Sequence, residues 1–210
     1  MTWVVKLGGS LNADPVLPQW LDVLTQLGGG RVVLVCGGGS FADAVRAHQA
    51  QWRYSDLAAH NMALLAMAQT AHFLHALNPA LRLVGSDADA QRVLRLGKTA
   101  LWTPMALLTD HAAADTNWGN TSDSIALALA QRLGAEQLVL VKACTVDAEA
   151  SLAQLGKAGI VDGHFAALAA EGAVAVRFMQ HDSPRLMRSL LLGGPTASDP
   201  SATAPGLRER

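Results

Sequence analysis

Cysteine is nearly absent from this chain: Cys36 and Cys144 are the only two. That is too few for a disulfide framework, and both lie in apolar, strand-like surroundings, so a reduced, cytoplasmic protein is expected. Positive charge is not in excess either. Lys and Arg total 16 against 17 Asp and Glu, a formal net charge of −1, which argues against a surface made to neutralise a nucleic-acid backbone. Long apolar runs are missing too. From Leu57 to Leu81 there is no Asp, Glu, Lys or Arg, yet His60, Asn61, Gln69, Thr70, His72, His75 and Asn78 interrupt the stretch. A spanning helix needs about 20 predominantly apolar residues, so no membrane segment is expected. A charge-free helix of this kind belongs between layers or between subunits, which points to a homo-oligomer. The first residues run straight into a strand with no basic region before them, so no export signal is expected. Finally, no Walker A loop is present, because Gly97-Lys98-Thr99 would need a glycine where Arg92 stands.

What is present is a chain of 210 residues, 50% of them hydrophobic, enough for one compact α/β domain. Short β-branched runs at Thr2–Leu7, Arg31–Cys36, Arg82–Val84, Ala100–Thr103, Gln137–Lys142 and Ala173–Phe178 predict strands. Helical periodicity predicts helices over Pro18–Leu27, Phe41–Trp52, Asp56–Leu77, Asp123–Leu133, Gly163–Glu171 and Pro184–Leu192. Ser40 with Asp43 predicts a capping-box variant at the second of these. The alternation implies a three-layer α/β/α sandwich with a mostly parallel central sheet. Residues 1–194 form the expected domain. Residues 195–210, with Pro195, Pro200 and Pro205 among small polar residues, are expected to be a flexible tail.

Four segments carry chemistry. Lys6-Leu7-Gly8-Gly9-Ser10 leaves the first strand with a cation beside unhindered backbone N–H groups, the combination that terminal phosphates of a nucleotide require. Gly37-Gly38-Gly39-Ser40 follows the second strand in the same way. It also fits the loose dinucleotide pattern through Gly37, Gly39 and Ala42, but the acidic residue at the proper distance, Asp56, opens a helix rather than ending a strand. Trp118-Gly119-Asn120-Thr121-Ser122-Asp123-Ser124 leads into an apolar helix, which Thr121 or Ser122 can cap. Leu138–Val141 ends in Lys142, followed by Ala143, Cys144, Thr145, Val146 and Asp147. A lysine at the end of a buried strand needs an anion opposite it. Two lysines on separate strand ends, organised by one aspartate, suit phosphoryl transfer, which depends on positioned cations more than on covalent help. His72 and His75 share a helix face without an accompanying carboxylate or cysteine, so no metal site is expected.

In this order these segments resemble the amino acid kinase family, which includes acetylglutamate, aspartate, uridylate and isopentenyl phosphate kinases, over about residues 2 to 194. The resemblance implies the fold of that family and catalysis by Lys6, Asp123 and Lys142. It implies ATP, with its Mg2+ carried by the nucleotide, at Lys6, Gly8, Gly9, Ser10, Lys142, Ala143, Thr145 and Asp147. It implies a small phosphorylated acceptor at Gly37, Gly38, Gly39, Asn120, Thr121 and Asp162. Trp118–Ala126 and Ala158–Phe165 are similar to an aspartokinase-related subgroup that includes aminomethylfuran phosphate kinase, which converts a phosphomonoester into a diphosphate. Many members carry a Gly-Gly-Met-x-x-Lys segment. Here Asp162 and Gly163 stand instead, which suggests that Lys142 replaces the missing charge or that the acceptor brings its own cation to Asp162. Leu191-Leu192-Gly193-Gly194-Pro195 resembles the family's last hairpin. Two other classes stay open: a nucleotide-binding regulatory or storage protein on the same fold, and a dinucleotide oxidoreductase.

Overall fold

The computed structural model describes residues 1–113, 116–147 and 150–194. Six strands form one sheet: β1 (Trp3–Leu7), β2 (Val32–Cys36), β3 (Arg82–Val84), β4 (Ala100–Trp102), β5 (Gln137–Lys142) and β6 (Ala175–Gln180). Their order is β3-β4-β2-β1-β5-β6, and every pairing is parallel. Around them lie α1 (Leu17–Leu27), α2 (Gly39–Trp52), α3 (Asp56–Leu77), α4 (Asp87–Arg95), α5 (Ser122–Arg132), α6 (Leu152–Lys157), α7 (Phe165–Ala170) and α8 (Pro184–Leu191).

The central strands are apolar throughout because both of their faces are covered, as parallel sheets require. Side chains alternate between two cores. Val4, Val33, Leu138 and Leu140 face Ile125, Leu129 and Phe165 on one side. Val5, Leu7, Leu34, Val139 and Val141 face Trp20, Leu24 and Met187 on the other. This two-residue period decides where the two strand lysines point. Lys6 shares the parity of Val4, and Lys142 shares that of Leu138 and Leu140, so both project toward the layer that contains α5. Lys6 lies opposite Leu140 in the register, which puts Lys142 one pleat further along the neighbouring strand. The chain runs from β1 outward to β2 on one side and returns to β5 on the other. The gap between β1 and β5 is therefore the topological switch point, where parallel sheets bind ligands at the strands' carboxyl ends.

Several expectations change in detail. The sheet is wholly parallel among the described residues. The last strand begins at Ala175 rather than Ala173, and α7 begins at Phe165. Two helices escaped the periodicity, α4 and α6, of only nine and six residues. Both carry readable caps: Ser86 accepts from the Asp89 amide, and Ser151 and Gln154 form a capping box. The box expected at Ser40 and Asp43 does not form. Gly38 is the N-cap of α2 without a side-chain bond, and the Asp43 carboxylate pairs with Arg46 at 2.9 Å instead. The final Gly-Gly pair is no hairpin. Gly193 takes φ +80°, and Gly194 N–H donates to Ser189 O at 2.9 Å, a helix C-terminal turn for which glycine is suited. The tail expected at 195–210 lies outside the described residues. No helix among the described residues is long and apolar enough to cross a membrane.

Candidate active site

At the switch point Asp123 sits between the two lysines. It is the second residue of α5, and α5 packs on β1, so its carboxylate meets both side chains that point into this layer. Lys6 Nζ is 2.7 Å from Oδ1 and Lys142 Nζ is 2.5 Å from Oδ2. The three residues are only 4%, 4% and 9% exposed for Lys6, Asp123 and Lys142. Lys142 also donates to Ile160 O at 2.5 Å, which ties the end of β5 to the turn before α7. Burial pushes the Asp123 carboxyl up, but Lys6 and then Lys142 outweigh it, and the group stays below the ordinary carboxylate range. Burial and the nearby Lys6 charge push the Lys142 ammonium down from its ordinary value, against the pull of Asp123. Two positive charges against one carboxylate leave a net positive, largely dehydrated centre, an environment suited to an anion.

The two glycine loops meet above this centre. A side chain at Gly9 would place its Cβ 2.6 Å from the Gly39 Cα, and one at Gly37 would come 2.7 Å from the Gly9 nitrogen. Only glycine permits this approach, so the two loops form one backbone cradle. Gly8 N–H donates to Val141 O at 3.1 Å and Gly37 N–H to Leu7 O at 2.9 Å, which fixes each loop to the neighbouring strand, β5 and β1 respectively. Thr70 of α3, fully buried, donates to Gly38 O at 3.3 Å. The first turn of α2 opens on the cradle with amides that have no partner inside the helix. A cleft of about 490 Å3 lies here, lined by Gly9, Ser10, Gly37, Gly39, Arg46 and Ser122 among others.

The remaining expected residues divide. Ala143, Thr145 and Asp147 form an exposed turn after Lys142. Beside it a hollow of about 450 Å3 runs from Asp147 along β6, and its lining residue Arg177 has a buried Nε without an acceptor. Thr121 lines the glycine cleft, and Asn120 lines the pocket beside it that shares Gly38 and Thr121. Asp162 is differently placed from what was expected. Its carboxylate accepts from Thr121 N at 3.0 Å, Thr121 Oγ1 at 2.8 Å, Ser124 N at 3.1 Å, His164 N at 3.2 Å and Phe165 N at 3.1 Å, and also from Ser124 Oγ. It thus caps the starts of both α5 and α7, the reason Thr121 makes no side-chain cap of its own. A carboxylate saturated by protein donors is an anchor, not a receptor for a substrate cation. Gly97-Lys98-Thr99 lies between α4 and β4, at the opposite end of the strands, where Thr99 donates to Leu24 O at 2.8 Å.

Sequence reasoning missed two groups. Asp14 and His181 pair at 2.5 Å, and His181 N–H donates to Lys142 O at 2.9 Å, locking the loop after β6 to the one after β1. Arg46 and Gln49, three apart on α2, reach the loop that carries Trp118: Arg46 stacks on the indole 4.3 Å from its centroid. Trp118 Nε1 donates to Gln49 Oε1 at 2.6 Å. A tryptophan just before the aspartate loop was a visible signal, since a half-buried indole N–H needs an acceptor.

Residues 1–145 match the sequence profile of the Amino acid kinase family. The chain belongs to that family. Over 139 residues, 65% of this chain and 63% of the relative, it is 27% identical to [5-(aminomethyl)furan-3-yl]methyl phosphate kinase of Methanocaldococcus jannaschii. The match therefore spans less than two thirds of that relative's length. Two solved structures share the fold of this amino acid kinase family member. Uridylate kinase from Archaeoglobus fulgidus superposes with TM-score 0.69 at 15% identity over 92% of this chain and 97% of its own. An isopentenyl phosphate kinase gives 0.61 at 13%, covering 93% and 98%.

Proposed function

We propose that this protein is an ATP-dependent small-molecule kinase whose acceptor is a small phosphomonoester, and that it converts aminomethylfuran methyl phosphate into the diphosphate. The observation that carries this reading is the buried Lys6–Asp123–Lys142 cluster beneath two abutting glycine loops. The activity for which the Methanocaldococcus relative is named supports the choice of acceptor. In the reaction, an oxygen of the acceptor phosphate attacks the γ-phosphorus in line. The new P–O bond forms as the bond to the β-phosphate oxygen breaks, and ADP leaves with that electron pair. A phosphomonoester with a second pKa of about 6 is already a dianion at neutral pH, so no general base is required. The need is for charge compensation, which Lys6 and Lys142 supply with Asp123 holding both in position. With the Gly8 and Gly37 amides fixing the cradle to the strands, the backbone N–H groups of Gly9, Ser10, Gly38 and Gly39 are the donors offered to the phosphates.

The turn of Ala143, Thr145 and Asp147 and the hollow along β6 take the nucleoside, where the orphaned Arg177 Nε would find an acceptor. The donor set at the centre is cationic, with two ammonium groups against one carboxylate. Magnesium would therefore arrive on the nucleotide and neutralise its phosphate oxygens. A homo-oligomer belongs to the same proposal, since α3 is charge-free from Leu57 on and leaves Leu65 and Leu77 43% and 49% exposed. The test is ADP release with Mg-ATP against a panel of phosphomonoesters, phosphonates and carboxylates. Release that depends on a phosphomonoester and disappears in Lys6→Ala is expected. Nucleotide binding without release for any member would favour a non-catalytic nucleotide binder on this fold.

A further inference from the structure

Beside the glycine cleft, and sharing Gly38, Ala42, Arg46, Thr121 and Ser122 with it, lies a second, mostly apolar slot of about 50 Å3. Ala42, Ala63 and Ile125 form part of its lining, and the Trp118 indole forms another wall. Its polar features gather at the rim. The slot's lining cation is Arg46, already committed to Asp43 at 2.9 Å and to the face of Trp118. Its lining carboxylate is Asp56. The amides at the start of α3 do not require that carboxylate, because the Ser55 hydroxyl accepts from Ala58 N–H at 3.3 Å. Asp56 instead reaches across to α2, where Gln49 Nε2 donates to its Oδ1 at 2.8 Å. The same Gln49 accepts from the Trp118 indole at 2.6 Å. One amide thus holds the ring wall and the carboxylate in register, with the small alanine side chains leaving a flat space between them.

We propose that this slot receives the organic body of the phosphorylated acceptor and selects a small flat ring bearing a cationic group, with Asp56 as its counter-charge, Trp118 as its wall and Gln49 as the residue that positions both. The proposal rests on the kinase function above and moves the acceptor's cation from the saturated Asp162 to Asp56. The acceptor's phosphate end then faces Gly38 and Ser122, where the slot joins the cleft beside the lysine cluster. An anionic body would be repelled by Asp56, and an uncharged one would gain at most a neutral hydrogen bond.

The experiment compares kcat/KM for aminomethylfuran methyl phosphate with its isosteric hydroxymethyl and carboxylate counterparts, in wild type, Asp56→Asn, Asp56→Lys and Gln49→Leu. Wild type is expected to prefer the amine over the alcohol by about two- to fivefold, the worth of one charge pair at an exposed carboxylate. Asp56→Asn should erase that preference and Asp56→Lys should turn it toward the carboxylate, an inversion that a merely structural role would not produce. Gln49→Leu should raise KM for the amine with KM for ATP unchanged. Unaltered selectivity in both Asp56 variants, or no preference in wild type, would overturn the proposal. If no acceptor is turned over, calorimetric titration of the amine and the alcohol decides separately. Asp56-dependent preference in binding would uphold the slot while refuting the kinase function, and equal or absent binding of the two would refute the slot.

Discussion

Replacing Asp123 with asparagine keeps the shape of the site and removes its only negative charge between two buried ammonium groups. The carboxylate is 4% exposed and lies 2.7 Å and 2.5 Å from Lys6 and Lys142. Breaking a buried ion pair from one side costs about 3–5 kcal/mol, because the remaining charges stay buried and uncompensated. For a domain of this size each kcal/mol lowers Tm by about 2–4 °C, so a fall of roughly 6–20 °C is expected. The loss has a signature. Nucleotide phosphates return the missing negative charge, so Mg-ATP should raise the Tm of Asp123→Asn by more than it raises that of wild type. Turnover should nevertheless collapse, because the lysines have lost the group that positions them. Adding Lys142→Met should recover part of the stability, since an apolar replacement of a buried charge is tolerated better than an unpaired one. Differential scanning fluorimetry with and without Mg-ATP reads all of this. A fall of less than about 2 °C, or equal nucleotide stabilisation in variant and wild type, would refute the idea that Asp123 offsets the two charges.

Three further outcomes follow from the same geometry. Burial and Lys6 lower the folded pKa of Lys142, so the native protein loses that proton below the unfolded value of 10.5, and kcat/KM should fall on an alkaline limb that Lys142→Arg moves upward. In that window the unfolded state binds more protons, so stability should rise with pH even as activity declines; parallel declines of stability and activity would contradict this. Gly9→Ala puts a Cβ 2.6 Å from the Gly39 Cα and should part the two loops, weakening ATP binding at least tenfold by calorimetry; retained affinity would show that the cradle tolerates their separation. Asp162→Asn removes charge-assisted bonds to the starts of α5 and α7. It should lower stability by about 1–3 kcal/mol and weaken ATP and acceptor alike, whereas a selective loss of acceptor binding would restore its role as a substrate contact.

The sequence made the lysine–aspartate cluster legible because each member broke a strong local pattern. Lys6 and Lys142 end apolar strands, and Asp123 opens an apolar helix, so a common partner was the economical explanation. The lysines' common face, by contrast, rests on the register of β1 against β5, which neither strand's own sequence states. Asp162 was legible as unusual but not as to its purpose, since four of its six donors come from Thr121 and Ser124, about forty positions away. The slot beside the glycine loops was not legible for a related reason. Arg46, Gln49 and Asp56 look like the solvated face of a helix and a helix start, and only the docking of the Trp118 loop against α2 gives them a shared wall. Short α4 and α6 escaped because nine and six residues hold too few turns for periodicity to register, although their serine caps were readable.

Phosphorus NMR of the protein with Mg-ATP and aminomethylfuran methyl phosphate, with Lys6→Ala alongside, observes the bond that this site is proposed to make. A new diphosphate resonance growing together with ADP, and absent in Lys6→Ala, is the predicted result. The same resonance appearing undiminished in Lys6→Ala would remove the buried cluster from the chemistry, and bound ATP that stays intact with every acceptor in the panel would contradict the kinase itself.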